Sequence, residues 1–289
     1  MTSSLKKVLI IGRKGQLAQA LLATKKANIE VLVVGSNEFD VTQLGTLRSI
    51  INQFKPEVII NAAAYTAVDL AESNPERAYL INADLVTFLA KICQLQRIRF
   101  IQLSTDYVFD GEQQTPYTVG DLPKPLNVYG ASKRAGEMAV LTHCPDFGSV
   151  VRTSWLYSLC GNNFLLTMLR LMQERPALEI VNDQVGSPTS AITLADFLWS
   201  LIDLPNWLPI YHFSGQGQGS WFDFAVEIQH VAHSAGLLSY LIPIKPICSA
   251  QFHTAAIRPC YSVLDCSGSN GIYHMRPWQE TLNVLLNSQ

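Results

Sequence analysis

No block of like charge, no internal repeat and no low-complexity tract interrupts this 289-residue chain. Charged residues make up only 15% and nearly cancel, leaving a net charge of −2. That balance gives neither nucleic acid nor an anionic membrane surface an electrostatic footprint. The six cysteines form no Cys-x-x-Cys pair and read as reduced, mostly buried thiols. No apolar stretch approaches the roughly 20 residues that a membrane span needs. The start, Met1-Thr2-Ser3-Ser4-Leu5-Lys6-Lys7, shows no cleavage-type segment. The expectation is a cytoplasmic protein with no membrane and no nucleic acid among its partners. What the chain does have is a 48% hydrophobic share, enough for a well-buried core. Its length suits one large α/β unit or a large unit plus a small one.

Val8-Leu9-Ile10-Ile11 is a continuous apolar run between charge and glycine, the pattern of a buried parallel strand. It leads into Gly12-Arg13-Lys14-Gly15-Gln16-Leu17-Ala18 and then a helix ending near Lys26. In that context Gly12 permits a tight turn, Gly15 lets a pyrophosphate approach the backbone, and Ala18 keeps the helix close to the strand. The free N–H groups at the helix N-terminus suit phosphate. At the end of a second strand over 31–34, where an NAD-selective site carries Asp or Glu, the chain has Gly35-Ser36-Asn37. Arg13 and Lys14 can instead balance a 2′-phosphate, which tilts the cofactor toward NADPH with NADH possible. Asp40-Val41-Thr42 is expected to open a helix, its acid at the positive end of the dipole.

Further strands over 58–60, 100–103 and 150–151 alternate with helices over 75–95 and 127–143. The alternation predicts an α/β fold of Rossmann type, a doubly wound parallel sheet with helices on both faces. Beyond Tyr157 the rhythm loosens into helices over 164–172, 193–201, 221–235 and 278–286, with a short strand over 211–213. The expected division is a dinucleotide-binding domain over 1–157 and a smaller C-terminal α/β substrate-binding region over 158–289, with interleaved elements allowed.

Tyr129 and Lys133 stand four apart, which on a helix stacks them on one face. An ammonium beside a phenol favours the phenolate and lowers a pKa that starts near 10. A tyrosine tuned in this way can give or take a proton in carbonyl reduction. Ser104-Thr105 closes the fourth strand, where a hydroxyl can meet a substrate carbonyl. Asn61 to Thr66 closes the third with small residues against which a flat group can lie.

Taken together, several motifs resemble the extended short-chain dehydrogenase/reductases and, within them, the dTDP-4-dehydrorhamnose reductases. The matching runs are Gly12-x-x-Gly15-Gln16-Leu17, Asn61-Ala-Ala-Ala-Tyr65-Thr66-Ala67-Val68-Asp69, Ser104-Thr-Asp-Tyr-Val-Phe-Asp-Gly111 and Pro125-Leu-Asn-Val-Tyr-Gly130 with Ser132-Lys133. Arg152-Thr-Ser-Trp155, Asn162-Asn-Phe164 and Asn182-Asp-Gln-x-Gly-x-Pro-Thr189 continue them in the family's order. The resemblance implies reduction of a nucleotide-linked 4-keto sugar. Tyr129 would be the general acid, Lys133 would hold the nicotinamide ribose and tune Tyr129, and Thr105 would orient the keto oxygen. It further implies Gly15, Gln16 and Leu17 at the pyrophosphate, and Asp40 and Val41 beside adenine. Ala64, Tyr65, Thr66 and Leu103 would line the cofactor crevice. Asp106 and Trp155 map to sugar contacts, and Asn163, Gln184 and Arg258 are candidates for the nucleotide.

Some family members dimerise through a metal held by glutamates. The helix after the glycine loop reads Gln16-Leu17-Ala18-Gln19-Ala20, without an acid, so the expectation is no metal and a monomer or weak homodimer. Two other readings stand beside this one: a non-catalytic relative resembling the regulatory subunit of methionine adenosyltransferase, and a reductase of another nucleotide 4-keto sugar.

Overall fold

A computed structural model describes residues 5–288. Its first half runs β1 (Lys6–Ile11), α1 (Gln16–Ala23), β2 (Ile29–Val34), α2 (Gly45–Phe54), β3 (Val58–Asn61), α3 (Val68–Ser73), α4 (Pro75–Tyr79), a π-helical turn (Leu80–Asp84), α5 (Leu85–Gln96), β4 (Arg99–Thr105), α6 (Val128–His143) and β5 (Gly148–Thr153). The second half runs β6 (Leu156–Tyr157), α7 (Phe164–Glu174), β7 (Leu178–Val181), β8 (Val185–Gly186), β9 (Thr189–Ser190), α8 (Ala191–Leu201), β10 (Ile210–His212), β11 (Gly219–Ser220), α9 (Trp221–Ser234), β12 (Ile244–Ile247) and α10 (Trp278–Leu286).

The main sheet is parallel with the order β10-β5-β4-β3-β1-β2. Alternate side chains of β1 feed two cores. Val8 and Ile10 pack with α1 and α8, whereas Leu9 and Ile11 pack with α2, α5 and α6. The strand order reverses between β1 and β3, so the carboxyl ends of these two strands open a crevice where doubly wound folds bind ligands. Two elements beyond residue 157 belong to this unit. β10 extends the sheet beside β5, and α8 lies on α1, where Trp199 Nε1 donates to Thr24 Oγ1 at 3.0 Å. The remaining helices α7, α9 and α10 enclose a separate core built on Phe224, Met168, Trp278 and Leu282.

Several local expectations need correction. No helix starts at Asp40: its carboxylate accepts the Thr42 N–H at 2.8 Å in a turn, and α2 begins at Gly45 with no acid in its first turn. The helical stretch Pro75–Gln96 contains a π turn, and its 22 residues are by length and composition apolar enough to cross a membrane. Half of that stretch is buried against α6 and the sheet, the position of a core helix. The cysteines are less buried than expected: Cys93 and Cys144 are buried, but Cys160, Cys248 and Cys260 are exposed.

Candidate active site

The glycine loop is shaped by close approach. Gly12 has φ +115°, and a Cβ there would lie 2.7 Å from the Ala63 nitrogen at the end of β3. A Cβ on Gly15 would fall 3.2 Å from the Gly12 carbonyl oxygen. Gly15 precedes α1 with no side-chain cap, so the first N–H groups of an eight-residue helix face the crevice.

Gly12, Arg13, Lys14, Gly15, Asp40, Val41 and Ala64 line one half of the crevice. Lys14, Gly15, Gln16, Leu17, Ala64, Thr66, Leu103, Thr105, Asp106, Tyr129, Lys133 and Trp155 line the other half. Tyr65 sits between two lining residues, its N–H donated to Asn82 Oδ1 at 2.9 Å and its carbonyl accepting Asn82 Nδ2 at 3.1 Å. Asn82 Nδ2 also donates to Ser132 Oγ at 2.9 Å, so the π turn ties the third strand's end to α6. One buried polar atom of the second half, Thr153 Oγ1, has no hydrogen-bond partner among the described residues. The crevice therefore fits a dinucleotide: a glycine cradle with free N–H groups at one turn, and an unpaired hydroxyl farther along.

The acid missing at the end of β2 is present four residues beyond Val34. Glu38 folds back, accepting the Gly35 N–H at 2.7 Å and pairing with Arg13 Nε at 3.1 Å. Arg13 also donates to the Val33 carbonyl. Both charges line the crevice, and Arg77 lines it with them.

Helix α6 is capped by Asn127, which accepts the Gly130 N–H at 2.8 Å, and by Glu72 of α3, which accepts the Val128 N–H at 2.8 Å. Glycines let it press on its neighbours: a Cβ at Gly130 or Gly136 would sit 2.1 Å from the carbonyl oxygen of Tyr107 or Asn82. This packing sets Tyr129 and Lys133 into the cleft beside Thr105. The expected lowering of the phenol pKa is not what the site shows. Burial pushes Tyr129 up to about 12, with the Thr105 hydroxyl acting in the opposite direction. The Lys133 ammonium is bonded to the Leu103 carbonyl at 2.5 Å, and burial brings its pKa down to about 8 against the field of Glu137.

Below the cleft lies a polar cluster that no sequence motif announces. Glu137 accepts Ser104 Oγ at 2.6 Å, Arg134 Nη1 at 2.8 Å, and Nε and Nη2 of Arg152, both at 2.8 Å. Arg152 also meets His212 Nε2 of β10 at 3.2 Å, and burial holds that imidazole neutral with a pKa down at about 4.

The proposed substrate residues divide. Trp155 lines the cleft in a left-handed conformation, φ +46°, with its ring stacked on Trp221 at 3.5 Å. Gly186 makes this possible, since a Cβ there would lie 2.5 Å from the indole. Gln184 and Arg258 line a neighbouring cavity of about 740 Å³ together with Phe164, Trp221 and Phe252. Arg258 is held there by Asp69, Nη2 to Oδ2 at 2.6 Å. Asn163 lines a further cavity together with Asp69 and Arg258. It accepts the Leu166 N–H as the cap of α7 and donates to Gln16 Oε1 at 2.9 Å, so its polar atoms join α7 to the glycine loop. Asp106 lines the cleft, and each of its carboxylate oxygens also accepts a hydroxyl of the protein, Thr105 Oγ1 at 2.9 Å and Ser262 Oγ at 2.6 Å.

Comparison with known proteins places this geometry. The family model described as RmlD substrate binding domain matches residues 6–289. A dTDP-4-dehydrorhamnose reductase from Aggregatibacter actinomycetemcomitans is 39% identical, covering 96% of this chain and 97% of its own. A dTDP-4-keto-6-deoxy-D-glucose reductase from Streptomyces niveus is 34% identical over 95% of this chain and 94% of its own. The crystal structure of dTDP-4-dehydrorhamnose reductase from Bacillus anthracis in complex with NADP superposes with a TM-score of 0.92 at 35% identity, covering 99% of this chain and 100% of that one. The chain belongs to the dTDP-4-dehydrorhamnose reductase family.

Proposed function

We propose that this protein reduces the C4 keto group of dTDP-4-dehydro-β-L-rhamnose to give dTDP-L-rhamnose, with NADPH as reductant. The observation that carries the reading is the convergence of Thr105, Tyr129 and Lys133 on a cleft continuous with the glycine cradle. When bound, the dinucleotide supplies the hydride that becomes the C4–H bond. Gly12, Arg13, Lys14, Gly15, Asp40 and Val41 would hold its adenosine and phosphates. Leu17, Ala64, Thr66, Leu103 and Lys133 would hold its nicotinamide end.

Tyr129 donates its phenolic proton to the C4 oxygen as negative charge gathers there. Burial keeps that proton on the phenol until an acceptor of such basicity arrives. Lys133, with a pKa of about 8, is a cation at neutral pH, and its charge favours the phenolate left behind. Gln184 and Arg258 offer an amide and a guanidinium to the nucleotide in the adjoining cavity. The first turn of α1 carries no acid, so it offers no carboxylate ligand for a metal shared between subunits.

The test is NADPH consumption with this substrate in wild type and in Tyr129→Phe. Loss of the general acid is expected to lower kcat about 10²–10⁴-fold, with NADP⁺ affinity kept. Binding of NADPH without turnover by the wild type would support the regulatory reading instead. A second reading, reduction of another dTDP-linked 4-keto sugar, draws on the Streptomyces niveus relative and is tested by the same assay with that sugar.

A further inference from the structure

The Asn163 side chain stands at the start of α7, and its amide can point only one way. Its Oδ1 accepts the Leu166 N–H at 3.0 Å as the helix cap, so Nδ2 is the atom turned back toward the preceding loop. There the two N–H bonds of Nδ2 face Gln16 Oε1 at 2.9 Å, the Ser158 carbonyl at 2.9 Å and the Cys160 carbonyl at 3.2 Å. Ser158 Oγ, with one proton, lies 2.8 Å from Gln16 Oε1 and from the Cys160 carbonyl. Three protons therefore serve three acceptor oxygens. Gly161, at φ +74°, folds this loop over Gln16, and a Cβ there would lie 3.1 Å from the Gln16 Cγ.

A hydroxyl accepts as readily as it donates, so Ser158 alone would tolerate either face of the Gln16 amide. Asn163 does not. An amide nitrogen only donates, so the Gln16 atom 2.9 Å from Nδ2 must be the oxygen. Gln16 Nε2 is then the free end. One of its N–H bonds meets the Asn162 carbonyl at 3.5 Å, and the other has no partner among the described residues. Gln16 is the first residue of α1, beside the N–H groups that suit a phosphate, and it lines the cleft with Lys14, Gly15, Tyr129 and Lys133. We propose that Asn163 is a positioning residue for the cofactor: it turns the Gln16 amide so that the remaining N–H donates to the diphosphate of the dinucleotide. The opposite orientation would set Oε1 against the phosphate oxygens, acceptor against acceptor.

The inference rests on the dinucleotide site of the reductase reading, and the experiment separates them. Dissociation constants of NADP⁺ and NAD⁺ are measured by calorimetry for wild type, Gln16→Ala, Asn163→Ser and the double variant. Serine caps a helix as well as asparagine does, so α7 keeps its start while the link to Gln16 is cut. Gln16→Ala should weaken both dinucleotides about tenfold, the loss of one hydrogen bond to a charged group, because the diphosphate is common to both. Asn163→Ser should lose about as much, and the double variant no more than either single one. Wild-type affinity in either single variant overturns the proposal. So does an Asn163→Ser loss that persists undiminished in the Gln16→Ala background, since that marks a structural effect of the loop. A loss confined to NADP⁺ overturns it too, because Gln16 would then serve the 2′-phosphate. A wild type that binds neither dinucleotide overturns the cofactor site itself. Tight binding without consumption of NADPH in the presence of the sugar overturns the reductase reading alone.

Discussion

A Glu137→Gln substitution takes one charge out of the buried cluster beneath the cleft and keeps its shape. Glu137 is 0% exposed and Arg152 is 1% exposed, joined by two bonds of 2.8 Å. Burial works against ionising Glu137, yet Arg152, Ser104 and Arg134 together hold it below the usual carboxylate range. His212 cannot compensate Arg152, because an imidazole carries no negative charge, and burial keeps this one neutral. The variant therefore leaves an uncompensated guanidinium in the interior, at a cost of about 3–5 kcal/mol. Against a typical total of about 5–15 kcal/mol, that lowers Tm by roughly 6–10 °C for a chain of this size. Calorimetry reads the first consequence.

The second consequence is functional. Glu137 lies one turn after Lys133 on α6 and works to raise its pKa against burial. Without that field the Lys133 pKa drops below its present value of about 8, so the ammonium loses its charge at a lower pH. Titration of NADPH affinity against pH should then show the alkaline loss displaced downward. A stability loss under about 1 kcal/mol, the worth of an exposed pair, together with an unmoved alkaline limb, would refute this reasoning.

Two further outcomes follow from the same geometry. Glu38→Ala frees Arg13 from its ion pair, so NADP⁺ binding should tighten about 2–5-fold relative to NAD⁺; equal changes for both would remove Arg13 from the 2′-phosphate. Gly130→Ala places a Cβ 2.1 Å from the Tyr107 carbonyl oxygen. Although alanine favours a helix by about 1 kcal/mol, overpacking at about 1–3 kcal/mol should win, giving a lower Tm and a lower kcat. A stabilised, fully active variant would contradict that packing.

What could be read from the sequence follows from range. The first strand, glycine loop and α1 all lie between Lys6 and Ala23, and Tyr129 and Lys133 share one helix face, so local pattern suffices for both. Asp40 misled because an acid before a helix and an acid in an Asx turn look alike until the Thr42 N–H is seen bonding to it. The π turn at Leu80–Asp84 arises where Asn82 bridges Tyr65 and Ser132, contacts no helical period reveals. Glu38 carries no local signal, because only folding back to Gly35 brings it to the end of β2. The left-handed Trp155 depends on space made by Gly186, and the grip on Asp106 depends on Ser262. Pairings of that kind have no local signature. The Tyr129 pKa has another cause: the spacing does put Lys133 on the same helix face, but that ammonium is bonded to Leu103 and burial raises the phenol.

The central claim, hydride addition to C4 with the proton supplied at Tyr129, is tested most directly by NADPH deuterated at its transferable position. With dTDP-4-dehydro-β-L-rhamnose as substrate, the account predicts dTDP-L-rhamnose carrying deuterium at C4, and no such product from Tyr129→Phe on the same timescale. Deuterium at another carbon, or an unlabelled and unreduced sugar recovered beside intact NADPH, would contradict it.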